Sequence, residues 1–84
     1  MSNTAARRAH GRRVERMLGE ATMHFAYREF QQAVQLLLEV IRLAPGMGHP
    51  YSTLGLIYEE MGQPLKAVKL FMMAAQLSNF LLVA

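Results

Sequence analysis

The side chains in this 84-residue chain that could do chemistry are three histidines, six glutamates, three serines and nine lysines or arginines. His10, His24 and His49 show no His-x-x-x-His spacing, so nothing in their placement builds a metal site. Glu59 and Glu60 are adjacent, and neighbours on a helix point in different directions, so they do not form an acid–base pair. Ser2, Ser52 and Ser78 lack a nucleophile elbow around them. Gly46-x-Gly48 lacks the further glycine and the lysine of a phosphate loop. The chain has no cysteine, which removes thiol chemistry, disulfides and Cys-ligated metals and fits a reducing compartment. It also has no aspartate, which removes the EF-hand loop, the Ser-His-Asp triad and an Asp pair. The expectation is a non-enzyme with no metal and no cofactor.

What remains is charge. Arg7, Arg8, Arg12, Arg13 and Arg16 stand against Glu15 in residues 1–16, a balance of +4, while the rest of the chain is −1 (Arg28, Arg42, Lys66 and Lys69 against five glutamates). Five arginines could neutralise phosphates, although no interleaved aromatics offer base stacking. Two Arg-Arg pairs also suit a nuclear-import signal. The preferred reading is a flexible, disordered and solvated basic tail over residues 1–13, with nucleic acid touched at most through it. No apolar segment follows Arg13 as a secretion signal would require, and an Arg-rich mitochondrial presequence would want a clearer apolar stripe. The longest apolar runs, Leu70–Ala75 and Phe80–Ala84, are too short to span a bilayer.

Apolar residues make up 52% of the chain, enough for one small core. Their period is helical throughout. Met17, Leu18, Ala21 and Phe25 form one run, and Phe30, Ala33, Val34, Leu37, Val40 and Ile41 a second. Pro45, Gly46 and Gly48 then break the chain, and Pro50 opens a third run with Tyr51, Leu54, Ile57 and Tyr58. Gly62 stops it, and Pro64 starts a fourth with Ala67, Val68, Leu70, Phe71, Ala74 and Ala75. Most of the seven methionines sit at core spacing. The spacing predicts an all-α chain of four helices in two hairpins. A shift of 34 residues lays the hairpins on each other, pairing Ala33 with Ala67, Val34 with Val68, Leu36 with Leu70 and Leu43 with Leu77 as identities. It also pairs Ala21 with Gly55, Leu37 with Phe71 and Pro45 with Asn79.

Tyr51-x2-Leu54-Gly55-x2-Tyr58 followed by Ala67-x3-Phe71 resembles the tetratricopeptide repeat (TPR) signature. The resemblance implies two hairpins of a right-handed α-solenoid, with TPR 1 over 14–47, TPR 2 over 48–81 and a truncated apolar end over 82–84. Its signature positions here are Ala21, Ala33, Pro45, Tyr51, Leu54, Gly55, Tyr58, Ala67 and Phe71, the small ones where paired helices cross closely. The first repeat departs from the pattern. Met17 takes an aromatic slot, Glu20 an apolar one, and Arg28 the place of the turn glycine.

Within TPR proteins, several strings narrow the likeness. These are Gly19-Glu20-Ala21, Phe25-Ala26, Glu39-Val40-Ile41-Arg42, Ala44-Pro45, Pro50-Tyr51-Ser52-Thr53-Leu54 and Ile57-Tyr58-Glu59. They are similar to the TPR-subunit family of transcription factor IIIC, from about Leu18 to Leu77. That resemblance implies a nuclear scaffold for RNA polymerase III transcription that bridges promoter-bound factor IIIC to initiation factor IIIB. Its partners would be other factor IIIC subunits and factor IIIB subunits. The alternatives are a TPR adaptor outside transcription, cytosolic or mitochondrial, and an inactive truncated product.

By TPR register the concave, partner-binding face holds Leu18, Thr22, Phe25, Ser52, Leu56 and Glu59, apolar at its centre with polar edges. Leu18 and Phe25 could instead pack between the hairpins. Chaperone-binding TPRs carry a carboxylate clamp whose slots here are Leu18, Thr22 and Thr53, so no clamp is expected. The closing Phe80-Leu81-Leu82-Val83-Ala84 is expected to need a partner or to self-associate.

Overall fold

A computed structural model describes the backbone of residues 4–83, with side chains described through residue 78. The expectations placed on residues 1–3, on the side chains of residues 79–83 and on residue 84 lie outside what is described. The chain forms α1 (Thr4–Ala26), α2 (Phe30–Leu43), α3 (Gly48–Glu60) and α4 (Pro64–Val83), and no strand occurs among the described residues. α1 packs on α2 and α3 on α4 as antiparallel hairpins, and α2 packs on α3 to join them. The result is an elongated slab of 48 × 32 × 16 Å. Its radius of gyration is 13.8 Å, against about 12 Å for a globule of this length.

The turn inside each hairpin is the same motif one repeat apart. In the first, the N–H of Arg28 donates to Phe25 O (3.0 Å) and that of Glu29 to His24 O (2.8 Å). In the second, the N–H of Gly62 donates to Glu59 O (3.0 Å) and that of Gln63 to Tyr58 O (2.8 Å). These are paired Schellman bonds that satisfy the last carbonyls of α1 and α3. The motif needs a left-handed residue, and Gly62 (φ 76°) and Arg28 (φ 61°) both supply it. Arg28 therefore takes the glycine conformation without being glycine.

Small residues are packed into the interior of both hairpins. Ala21, Ala33 and Ala67 are buried, and the ring of Phe71 lies directly against Gly55. Ala21, Ala33, Leu37, Leu54 and Ile57 form one core shared by both hairpins. Tyr51 is buried and its hydroxyl donates to Pro45 O (2.9 Å), tying the start of α3 to the end of α2.

One expectation is corrected. α1 begins at Thr4, so residues 4–13 are helical rather than a flexible tail. Every residue from 4 to 13 is exposed. No apolar stripe marks this stretch, and alanine and arginine propensity sustains it instead. His10 Nε2 donates to Leu43 O (3.1 Å), an otherwise orphaned carbonyl at the end of α2.

Candidate functional site

The six expected groove residues lie on α1 and α3, but they are not equally available. Leu18 and Phe25 are half-buried against the shared core. Phe25 also meets the ring of Phe30 at 6.1 Å between centroids. Thr22 is exposed, and its hydroxyl donates back to Leu18 O (2.9 Å). On α3, Ser52 is half-buried, Glu59 is exposed, and Leu56 keeps 44% of its surface in solvent. Ser52, Leu56 and Glu59 are spaced at four and three residues, so they share one face of α3. Leu56 is the large apolar group at its centre. Thr53 is buried and donates to His49 O (3.2 Å), so its slot offers a groove ligand nothing.

The arginines Arg7, Arg8, Arg12, Arg13 and Arg16 are all exposed on α1. Elsewhere charge is paired at the surface. Arg28 reaches Glu60 at 3.5 Å, linking the first hairpin's turn to α3, and its guanidinium lies 4.9 Å from the Phe30 ring centroid. Lys66 sits 5.4 Å from the centroid of Tyr58. His24 pairs with Glu29 at 2.8 Å, a link the sequence reading missed because it spans the turn rather than one helix face. Arg42 hydrogen-bonds Glu39 from two nitrogens. Those bonds hold the Glu39 carboxyl below its ordinary range, with the Arg42 and Arg13 charges assisting and desolvation opposing. The same hydrogen bond pushes Arg42 up.

Among the described residues no group of three His, Cys, Asp or Glu comes together as a metal site. No described helix is long and apolar enough to cross a membrane. The arrangement offers surface rather than reactive groups: an amphipathic α3 face, an exposed basic stretch on α1, and apolar side chains along α4.

Two hairpins with identical capping turns one repeat apart and small residues at each crossing define the class, a helical-hairpin repeat segment resembling tetratricopeptide repeats. In particular, the chain is similar to General transcription factor 3C polypeptide 3 of Homo sapiens, with 39% identity over 62 residues. That match takes in 74% of this chain and 7% of the human protein, so the chain corresponds to a small part of that relative. No family model matches the chain, and no solved structure does.

Proposed function

We propose that this chain is a non-catalytic protein–protein interaction scaffold, a TPR segment working within transcription factor IIIC. In this reading it belongs in the nucleus. It contributes to the surface by which factor IIIC, bound at a promoter, is bridged to initiation factor IIIB for RNA polymerase III. The observation that carries the reading is the 39% identity over 62 residues to a protein named as a general transcription factor 3C polypeptide. Docking uses the groove side of α1 and α3, where Leu56 supplies the exposed apolar contact and Thr22, Ser52 and Glu59 the polar edge. Leu18 and Phe25 support that face from beneath, since both pack on the core. The arginines on α1 add a salt-dependent attraction to an acidic partner or to nearby nucleic acid.

The test is direct binding of the purified chain to purified factor IIIC and factor IIIB subunits by fluorescence anisotropy. Leu56→Arg is expected to weaken binding at least about tenfold, as loss of a central apolar contact does. Met73→Arg, at an exposed position on α4, is expected to leave it unchanged. Absence of binding to every subunit would remove the reading and leave an adaptor outside transcription, and equal binding by the Leu56 variant would overturn docking through the α3 face.

A further inference from the structure

The chain carries one interface between hairpins, α2 on α3, complete and the two halves of a second. In the complete one, Gln31, Val34 and Gln35 of α2 line a shallow depression with Tyr58 of α3 and Met61 of the turn after it. Ile57, on the same side of α3, is fully buried. One repeat forward from those α2 positions stand Leu65, Val68 and Lys69 on α4. One repeat back from Ile57, Tyr58 and Met61 stand Met23 and His24 of α1 and Tyr27 just beyond it. Met23, His24 and Tyr27 line a depression of their own with Glu20 and Glu29.

The exposures differ as filled and unfilled versions of one surface should. Ile57 is 0% exposed and its counterpart Met23 61%. Met61 is half-buried and its counterpart Tyr27 is 73% exposed. Val34 is half-buried and Val68 is 52% exposed, with Leu65 beside it at 80%. Leu65, Val68 and Met72 recur at three and four residues, forming an apolar stripe in solvent along α4.

We propose that these halves bind each other between copies, α4 of one chain packing on α1 of the next as α2 packs on α3. The occupant is a second copy because the chain itself presents both complementary surfaces, in a register that its own interior already uses. Charge agrees. Glu20 and Glu29 line the depression on α1, and on α4 Lys69 stands one repeat on from Gln35, which lines the complete one. The contact is heterologous, so each copy keeps one free face and association is open-ended. The area is small, so association is weak and grows with concentration.

Sedimentation velocity of the 84-residue chain from low to high micromolar concentration tests this. The expected result is a mass average that climbs past the dimer. Val68→Glu and Met23→Glu each block one face, and each is expected to weaken association at least about tenfold. An equimolar mixture of the two is expected to form a 1:1 heterodimer and stop there, since only one intact pair of faces remains. Both positions are exposed, and far-UV circular dichroism checks that the helices persist. Leu65→Glu and Tyr27→Glu form a second, equally exposed pair should either first variant lose its helices. A monomer at every concentration overturns the proposal. So does association that survives in both single variants, which is the signature of contact through residues 80–84 or through the groove. The readout is mass alone and does not depend on any transcription-factor subunit.

Discussion

The ring of Phe71 stands where a side chain on Gly55 would begin: a Cβ there would lie 2.7 Å from Cε1 and 2.9 Å from Cδ1. In the other hairpin the matching positions hold Ala21 and Leu37, both within the core. The two crossings therefore trade volume, with glycine against phenylalanine in one and alanine against leucine in the other. Gly55→Ala gains about 1 kcal/mol of helix propensity. It loses about 1–3 kcal/mol to overpacking. The expected net effect is destabilisation by about 1 kcal/mol. Adding Phe71→Leu recreates the Ala21–Leu37 pairing, so the double variant should be more stable than Gly55→Ala alone. Urea denaturation of the four species of that cycle gives the coupling. A Gly55→Ala variant more stable than the parent would show that the ring swings aside freely.

Gly62 offers a cleaner backbone test, because nothing lies within 4 Å of a Cβ placed there. Any cost of Gly62→Ala must then come from φ 76°. About 1–2 kcal/mol is expected for a non-glycine residue in the left-handed region. At Arg28 the same strain is already present at φ 61°, and Arg28→Gly relieves it while losing the Glu60 pair and the Phe30 contact. Those losses are each about 0–1 kcal/mol at exposed sites, so Arg28→Gly should come out near neutral. Thermal unfolding of both variants checks the contrast. Equal destabilisation would mean that Arg28 is held by its partners and not by the turn.

That turn also marks what the sequence could reveal. Gly62 and Pro64 punctuate α3 and α4 legibly, because each residue type has a backbone preference of its own. Arginine has none for the left-handed region. The role of Arg28 can be read only by placing it one repeat before Gly62. The helix over residues 4–13 was illegible for a different reason. Periodicity detects a buried face, and a fully exposed helix has none. The groove was half legible. Register places Leu18, Phe25 and Leu56 on the inner helices, but whether each is spent on the core depends on the angle at which α2 meets α3. Leu18 and Phe25 pack on the core and Leu56 does not. The exposed pairs at Met23 with Tyr27 and Leu65 with Val68 carried no signal by themselves, since apolar helical spacing looks the same whether a face is covered or open.

Glu39 makes stability depend on acid in a stated direction. Its carboxyl titrates below its ordinary value of 4.5, chiefly through the Arg42 hydrogen bond. A lowered folded-state value means the contribution is complete above the unfolded value and lost as pH falls through the folded one. The parent chain should therefore lose more Tm than Glu39→Gln on going from neutral pH to below 4. The two curves should run parallel above pH 6, and high salt should narrow their gap, because Arg42 is exposed and Glu39 only half-buried. Differential scanning fluorimetry over that range measures it. Parallel curves through the acid limb would show that the pair contributes nothing to folding.

The first half of α1 holds its helix against its own charges. No acidic residue lies in its first turn to complement the helix dipole. Arg8, Arg12 and Arg16 repel at successive four-residue spacings. Each like-charge pair costs about 0.2–0.5 kcal/mol at low salt. Against that stand helix propensity and the tie from His10 to Leu43 O. Added salt should therefore raise the chain's helical signal by circular dichroism, opposite to its effect on the Glu39–Arg42 pair. In hydrogen exchange, the amides of residues 5–9 should be the fastest within α1, and those from Val14 to Ala26, which anchor in the core through Val14 and Ala21, the slowest. His10→Ala should speed exchange before residue 13 and leave the core half of α1 unchanged. Uniform protection along all of α1 would require a contact on its exposed arginine face that propensity and the His10 tie do not supply.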